Sequence, residues 1–304
     1  MIVKHLVISG GGSIGLKYWG ILQKLNEENI WKIQDIQTIY CTSAGSLLGT
    51  ILCLNYDWET INKYIIERPW KDVFKLSAKQ MVEAYYNKGL YDKKIIETVF
   101  KPLLEAKDLS LSITLKELYD YCKIEINIFT FELNTFKTVQ LNYKSNPDLS
   151  LITALSMSCA VPGLFMPICS IDNTCYIDGG VMANYPLSFC LEMGYNKEEI
   201  LGINYFIDNI NNNTNNYIHK DSSILDFILG FSINAMNYIS NKSPLDIIPN
   251  EIVCRLEDSP VSLHFFEKTI KTVEMRKKMI EEGYLNAEEF IQKLKIFDSK
   301  KDLS

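Results

Sequence analysis

The chain has 304 residues, enough for two ordinary domains or for one large α/β domain with a covering layer, and it can bury a core without disulfide or metal staples. Hydrophobic residues at 47% and charged residues at 22% exclude wholesale disorder and collagen-like or disulfide-scaffold classes. Lys plus Arg at 31 against Asp plus Glu at 37 leaves a net charge of −6, which argues against nucleic acid as a partner.

Short apolar runs alternate with longer helical patterns, which predicts an α/β fold: a mostly parallel central sheet with helices on both faces and a helical C-terminal region. Residues 5–9 read as a first strand. The run is too short for a signal sequence and leads into glycines rather than a cleavage site. A helix is expected over residues 16–28, a second strand over 36–41 and a helix over 44–54. Residues 57 to about 107 read as a helical insertion, with Asp57 as N-cap and Glu59 in the first turn, able to form a cap over the sheet. Strands at 124–133 and 136–142 flank Asn134-Thr135, a tight hairpin that makes part of the sheet antiparallel. Further strands are expected at 175–177 and 200–206. The Asn-rich run over 209–216 reads as a loop or linker. It separates a catalytic domain, 1–207, from a C-terminal region, 208–304, packed on or beside it. That region reads as helical to the end apart from a break between Pro244 and Pro260. No stretch approaches eighteen apolar residues, so a cytoplasmic protein with peripheral membrane contact at most is expected. The eight cysteines, Cys169 and Cys175 among them, contain no C-x-x-C pair and are expected to be reduced, buried and free of metal.

Three motifs carry chemistry. Gly10-Gly11-Gly12-Ser13-Ile14-Gly15 lies between the first strand and its helix, where bare backbone N–H groups and the helix N-terminus favour an anion. The same residues describe a dinucleotide fingerprint, an oxyanion hole of glycine amides or a plain βα turn. The dinucleotide fingerprint wants an acid at the end of the second strand, and Asp35 precedes that strand instead. At the strand's end stands Tyr40-Cys41-Thr42-Ser43-Ala44-Gly45. A serine on a sharp strand-to-helix turn with small residues at −2 and +2 describes a nucleophile elbow, and a serine N-cap describes it equally. Cys41 stands where the first glycine of G-x-S-x-G would. The candidate base is Asp178 in Asp178-Gly179-Gly180, at a strand end, although Asp-Gly is also a common turn. None of His5, His219 and His264 has a setting that announces a catalytic triad.

In this order and with these identities, the motifs resemble the patatin-like phospholipases. Ser156-Met157-Ser158-Cys159-Ala160-Val161-Pro162 running to Phe165 and Pro167 is similar to that family's serine- and alanine-rich helix end, and Asn184 and Pro186 also match. The resemblance covers roughly residues 4–206. Ile14 departs from it, standing where family members usually carry Arg or Lys. The resemblance implies a patatin-like three-layer sandwich and a lipid acyl hydrolase of the phospholipase A or lysophospholipase type. Ser43 would be the nucleophile and Asp178 the base, with Gly10, Gly11, Gly12 and Ser13 forming the oxyanion hole. Gly15, Cys41, Gly45, Gly179 and Gly180 would shape the turns. It implies a lipid ester as substrate and neither cofactor nor metal. Two other readings remain open: a non-catalytic lipid-binding protein of the same fold, and an NAD(P)-binding oxidoreductase built on Gly10–Gly15.

Between 222 and 241, Asp226, Gly230, Asn234, Asn237 and Asn241 fall on one helical stripe, and nearly every other residue is apolar. Such a helix is either core or offers a face to lipid. The Lys268, Lys271, Arg276, Lys277, Lys278 cluster reads as a solvated face or as a local attraction for anionic membranes.

Overall fold

The computed structural model describes residues 2–207, 218–242, 247–256 and 263–301. Strand β1 (His5–Ile8), buried along its whole length, runs through the glycine loop into α1 (Gly15–Glu27). Strand β2 (Thr38–Thr42), equally buried, turns at Ser43 into α2 (Ala44–Cys53). Next come α3 (Trp58–Glu67), α4 (Trp70–Val73), α5 (Ala78–Asn87), β3 (Gly89–Tyr91) and α6 (Lys94–Glu105). The Asp57 carboxylate accepts from the Thr60 N–H at 2.8 Å, as its N-cap position requires. A Ser77–Gln80 capping box opens α5. The chain continues through α7 (Leu115–Cys122), β4 (Glu125–Glu132), β5 (Lys137–Leu141), α8 (Leu151–Ser158), β6 (Gly163–Phe165), β7 (Ile168–Cys169) and β8 (Cys175–Asp178). It ends with α9 (Gly180–Ala183), α10 (Leu187–Glu192), β9 (Ile200–Ile207), α11 (Ile224–Lys242), β10 (Asn250–Leu256), α12 (Leu263–Lys271) and α13 (Val273–Lys301).

The central sheet has the order β10-β9-β1-β2-β4-β8-β7, with β5 paired to β4. Strands β10, β9, β1, β2 and β4 are parallel, whereas β5 and β8 run antiparallel to β4. The mostly parallel α/β architecture is therefore present, with the antiparallel hairpin where Asn134-Thr135 places it. One apolar core of strand and helix residues, among them Leu6, Ile8, Ile39, Ile126, Leu22 and Leu155, runs along the sheet.

Several expectations are corrected. The segment expected to be helical apart from a proline break contains β10, which pairs in parallel with β9 from Asn250↔Leu201 to Leu256↔Ile207. Asn250, Ile252 and Cys254 are buried while Val253 and Arg255 are exposed, the period-two pattern of an edge strand. Helix α13 lies across α1 at two glycines. A Cβ on Gly20 would lie 2.1 Å from the Ile280 carbonyl oxygen, and one on Gly283 2.1 Å from that of Lys17, so only glycine permits this approach. Strands β3 and β6 form a separate parallel ribbon absent from the predicted elements. Cys169 and Cys175 are joined in a disulfide that ties β7 to β8, and Cys41, Cys53, Cys122, Cys159, Cys190 and Cys254 are free. Arg276 does not belong to a solvated charge cluster. It is buried, and its guanidinium donates to the carbonyls of Ile66 (2.7 and 2.9 Å), Thr269 (2.8 Å) and Ile270 (3.1 Å), clamping the ends of α3 and α12. Lys271 and Lys278 pair with Glu267 and Glu282.

Candidate active site

Strand register brings the motifs together. Thr42 lies opposite Phe129 of β4, and Asp178 lies opposite Thr130, the next residue along β4. Residues 135 apart in sequence thus reach the same level of the sheet, and the Ser43 hydroxyl donates to Asp178 Oδ2 at 2.6 Å. Ser43 has φ 51° and ψ −123°, a conformation side chains rarely adopt, and it is held there by specific contacts. Its N–H donates to Ser158 Oγ at 2.8 Å, and that hydroxyl donates to the Phe129 carbonyl at 2.6 Å. Its carbonyl accepts from the Ser46 hydroxyl at 2.6 Å. Gly45 sits where a Cβ would meet the Ile8 and Ser9 carbonyl oxygens at 2.4 and 2.6 Å, so α2 can press onto β1 only without a side chain there. Cys41 points into the core, fully buried, with its thiol donating to the Asn127 carbonyl at 3.5 Å. Burial holds that thiol well above its usual range and keeps it uncharged.

Asp178 is completely buried. Burial pushes its carboxyl up to about 7, against the opposing pull of hydrogen bonds from Ser43 and from the Gly180 N–H, which reaches Oδ1 at 2.7 Å. Gly179 lies against the Phe129 carbonyl, so the Asp-Gly-Gly turn passes between β4 and the dyad with no room for side chains.

The glycine loop stands beside the serine. Gly11 (φ 149°) and Gly12 (φ 55°) take backbone conformations closed to most residues. The Gly10 carbonyl accepts from the Ser9 hydroxyl at 2.9 Å, and the Tyr18 hydroxyl lies 2.8 Å from that of Ser9. Because a trans peptide points its N–H opposite to its C=O, this buried pair turns the Gly11 N–H the other way. Gly10 itself is corrected as an oxyanion donor: its N–H is committed to the Asn184 carbonyl at 2.9 Å. Gly12 and Ser13 line the same cavity as Ser43. Gly15 packs against Ala44, bringing the starts of α1 and α2 together.

That cavity, about 210 Å³, opens from Ser43 between Leu16, Leu47, Ile65, Trp70, Phe74, Val99, Phe165, Phe266 and Ile270, so the inserted helices and α12 form its walls. Sequence reasoning singled out Ser43, Asp178 and the glycine loop, which the structure brings together, but assigned no role to Ser158 and did not find the aromatic wall. Ser158 stands in the quoted motif, yet its bond to Ser43 spans 115 residues. His5 is remote from Ser43, at the amino end of β1, bonded to Thr38 Oγ1 at 2.8 Å and stacked on Tyr195. His219 is exposed, and the side chain of His264 lies outside the described residues. Asp35 sits in a 3-10 turn before β2, at the opposite end of that strand from Ser43 and the glycine loop.

A buried serine–aspartate pair, the serine on a strained turn between a parallel strand and a helix and the aspartate at the end of antiparallel β8, stands beside a glycine loop in an α/β protein. The sequence model of the Patatin-like phospholipase family matches residues 6–191, and the chain belongs to that family. It is 28% identical over 192 residues to "Probable lipid hydrolase 463L" of Invertebrate iridescent virus 6, covering 62% of this chain and 63% of that protein. The chain therefore spans less than two thirds of that relative's length. An uncharacterized protein of Acanthamoeba polyphaga mimivirus is 25% identical over 268 residues, covering 86% of each. Among solved structures, VipD from Legionella pneumophila superposes with a TM-score of 0.56 at 17% identity, covering 96% of this chain and 67% of VipD, a likeness of fold.

Proposed function

We propose that the chain is a lipid acyl hydrolase in which Ser43 is the nucleophile and Asp178 the general base. The observation that carries this reading is the 2.6 Å bond from the Ser43 hydroxyl to a fully buried carboxylate at the end of an apolar cavity. The ester's acyl chain occupies the cavity between Leu47, Trp70, Phe74 and Phe165, because aliphatic chain and apolar wall both leave water. Ser43 Oγ attacks the carbonyl carbon while Asp178 Oδ2 takes its proton. An ordinary aspartate, near pKa 3.9, is a weak base; one at about 7 holds a proton well enough to take it from the serine and return it to the leaving alcohol. The N–H groups of Gly11, Gly12 and Ser13 stabilise the oxyanion of the tetrahedral intermediate. Water then attacks the acyl-serine by the same proton route.

A fluorophosphonate probe tests the reading. The wild-type chain is expected to be labelled and the Ser43→Ala chain, with an unchanged circular dichroism spectrum, is not. Equal labelling of both chains would remove Ser43 as the nucleophile. A wild-type chain that binds lipid but neither reacts with the probe nor cleaves esters would be a lipid-binding member of the fold.

A further inference from the structure

Two helices beside the cavity turn their apolar residues the wrong way for a solvated surface. On α11 the predicted stripe is divided: Asp226 and Asn234 are exposed, and the side chain of Asn241 lies outside the described residues. Gly230 and Asn237 are buried, Asn237 accepting from the Tyr205 hydroxyl at 3.2 Å, while Ile224, Phe227 and Phe231 are 62%, 53% and 68% exposed. On α5, Val82, Tyr85 and Tyr86 are 72–75% exposed and share one helical face. Apolar side chains grouped in this way on two helices exceed the scattered exposure usual on a soluble surface.

Both helices pack on the β3–β6 ribbon. Leu229 and Ile233 of α11, and Ala84 of α5, join a small core with Leu90, Tyr91 and Leu164. Phe74, Phe165 and Phe266 belong to the same core and also line the cavity that opens from Ser43. The two helices therefore share a core with one wall of the cavity, and their apolar faces turn outward from that core. Around α5 the charge departs from that of the whole molecule: between Trp70 and Lys88 the exposed Lys71, Lys75, Lys79 and Lys88 outnumber Asp72 and Glu83. This is local positive charge on a chain whose net charge is −6.

We infer that α5 and α11 form the face by which this chain lies on an anionic lipid bilayer. Val82, Phe227 and Phe231 enter the acyl boundary, and Tyr85 and Tyr86 sit at the headgroup level, where an aromatic body with a polar tip is favoured. The α5 lysines meet the anionic headgroups, which supply the attraction that the molecule's overall charge opposes. Docking holds the cavity, which shares Phe74, Phe165 and Phe266 with the core under these helices, near the membrane that supplies the acyl chain. That last step rests on the hydrolase reading; the docking does not.

The test floats the Ser43→Ala chain, which leaves lipid intact, with phosphatidylcholine vesicles with and without phosphatidylserine. Flotation is expected with phosphatidylserine and is expected to fall about tenfold or more in Val82→Asp/Tyr86→Asp, in Phe227→Asp/Phe231→Asp and in the charge reversal Lys75→Glu/Lys79→Glu. The same substitutions in the wild-type background are expected to leave hydrolysis of a water-soluble short-chain ester within about twofold, since exposed positions contribute little to the fold. Undiminished flotation of all three variants, or no flotation of the parent, would overturn the inference. So would a dimer in solution that the aspartate substitutions dissolve, which would assign the face to a second copy. Flotation that responds to the substitutions in a chain with no esterase activity would uphold docking while ending the hydrolase reading.

Discussion

At the residue scale, the role proposed for Asp178 sets activity against stability. In the unfolded chain the Asp178 carboxyl ionises near its ordinary value of 3.8, while in the fold burial raises it to about 7. A raised carboxyl stabilises the fold fully below the unfolded value, and that contribution is lost as pH rises toward the folded one. In the proposed mechanism the base is the ionised form, which the fold tolerates least. Hydrolysis is therefore expected to rise through about pH 7, read as kcat/KM on a soluble ester. Asp178→Asn retains an acceptor for the Gly180 N–H and a donor for Ser43 Oγ but loses the basicity. It is expected to lower kcat by about 10²–10⁴-fold. At pH 8 it should also raise stability in urea by roughly 2–4 kcal/mol, at about 1.4 kcal/mol per pKa unit. An Asp178→Asn chain no more stable than wild type at pH 8 would show that the carboxyl is not strained by its burial.

At the element scale, the active-site cavity depends on joints between helices distant in sequence. Arg276 of α13 holds the last carbonyls of α3 and α12, and Ile65, Thr269 and Ile270 beside those carbonyls line the cavity. Arg276→Ala leaves the Ile66, Thr269 and Ile270 carbonyls buried without a donor and is expected to cost about 2–4 kcal/mol in urea unfolding. Because the cavity wall shifts with those helix ends, KM for long-chain esters should rise more than KM for short-chain ones. Lysine is expected to restore little, since one ammonium cannot span both helix ends as a guanidinium does. Equal KM changes for all chain lengths would separate the clamp from the cavity. Periodicity announces α12 and α13 as helices, but their pairing through Arg276 and through Gly20 and Gly283 is a matter of contacts between distant positions.

At the scale of the whole molecule, the C-terminal region completes the architecture. Strand β10 covers β9, α13 covers α1, and α12 closes one side of the cavity. A chain ending at residue 207 would expose the β9 edge and the face of α1 around Gly20 that packs on Ile280 here. It is expected to be insoluble or to lack a cooperative thermal transition by calorimetry. A soluble, cooperatively folding 1–207 fragment would show that the first 207 residues hold the fold by themselves. No helix among the described residues is long and apolar enough to cross a membrane.

The linear sequence determined what short-range chemistry decides: buried strands from continuous apolar runs, the glycine loop, the strand-to-helix turn at Ser43, the Asp57 cap, and the residue identities that place the chain in its family. Strand β10 was legible in its alternation, but its setting between prolines spoke for an irregular stretch, and only pairing with β9 made it a strand. Tertiary structure decided the rest, because each missing fact is a distance between residues far apart in the chain. The register of β4 brings Asp178 to Ser43, the Ser158 hydroxyl reaches the Ser43 amide, and the Asn184 carbonyl takes up the Gly10 amide of the glycine loop. The same holds for α11: its composition contains both a polar stripe and an apolar one, and packing on the β3–β6 ribbon, not periodicity, settles that the phenylalanines face outward.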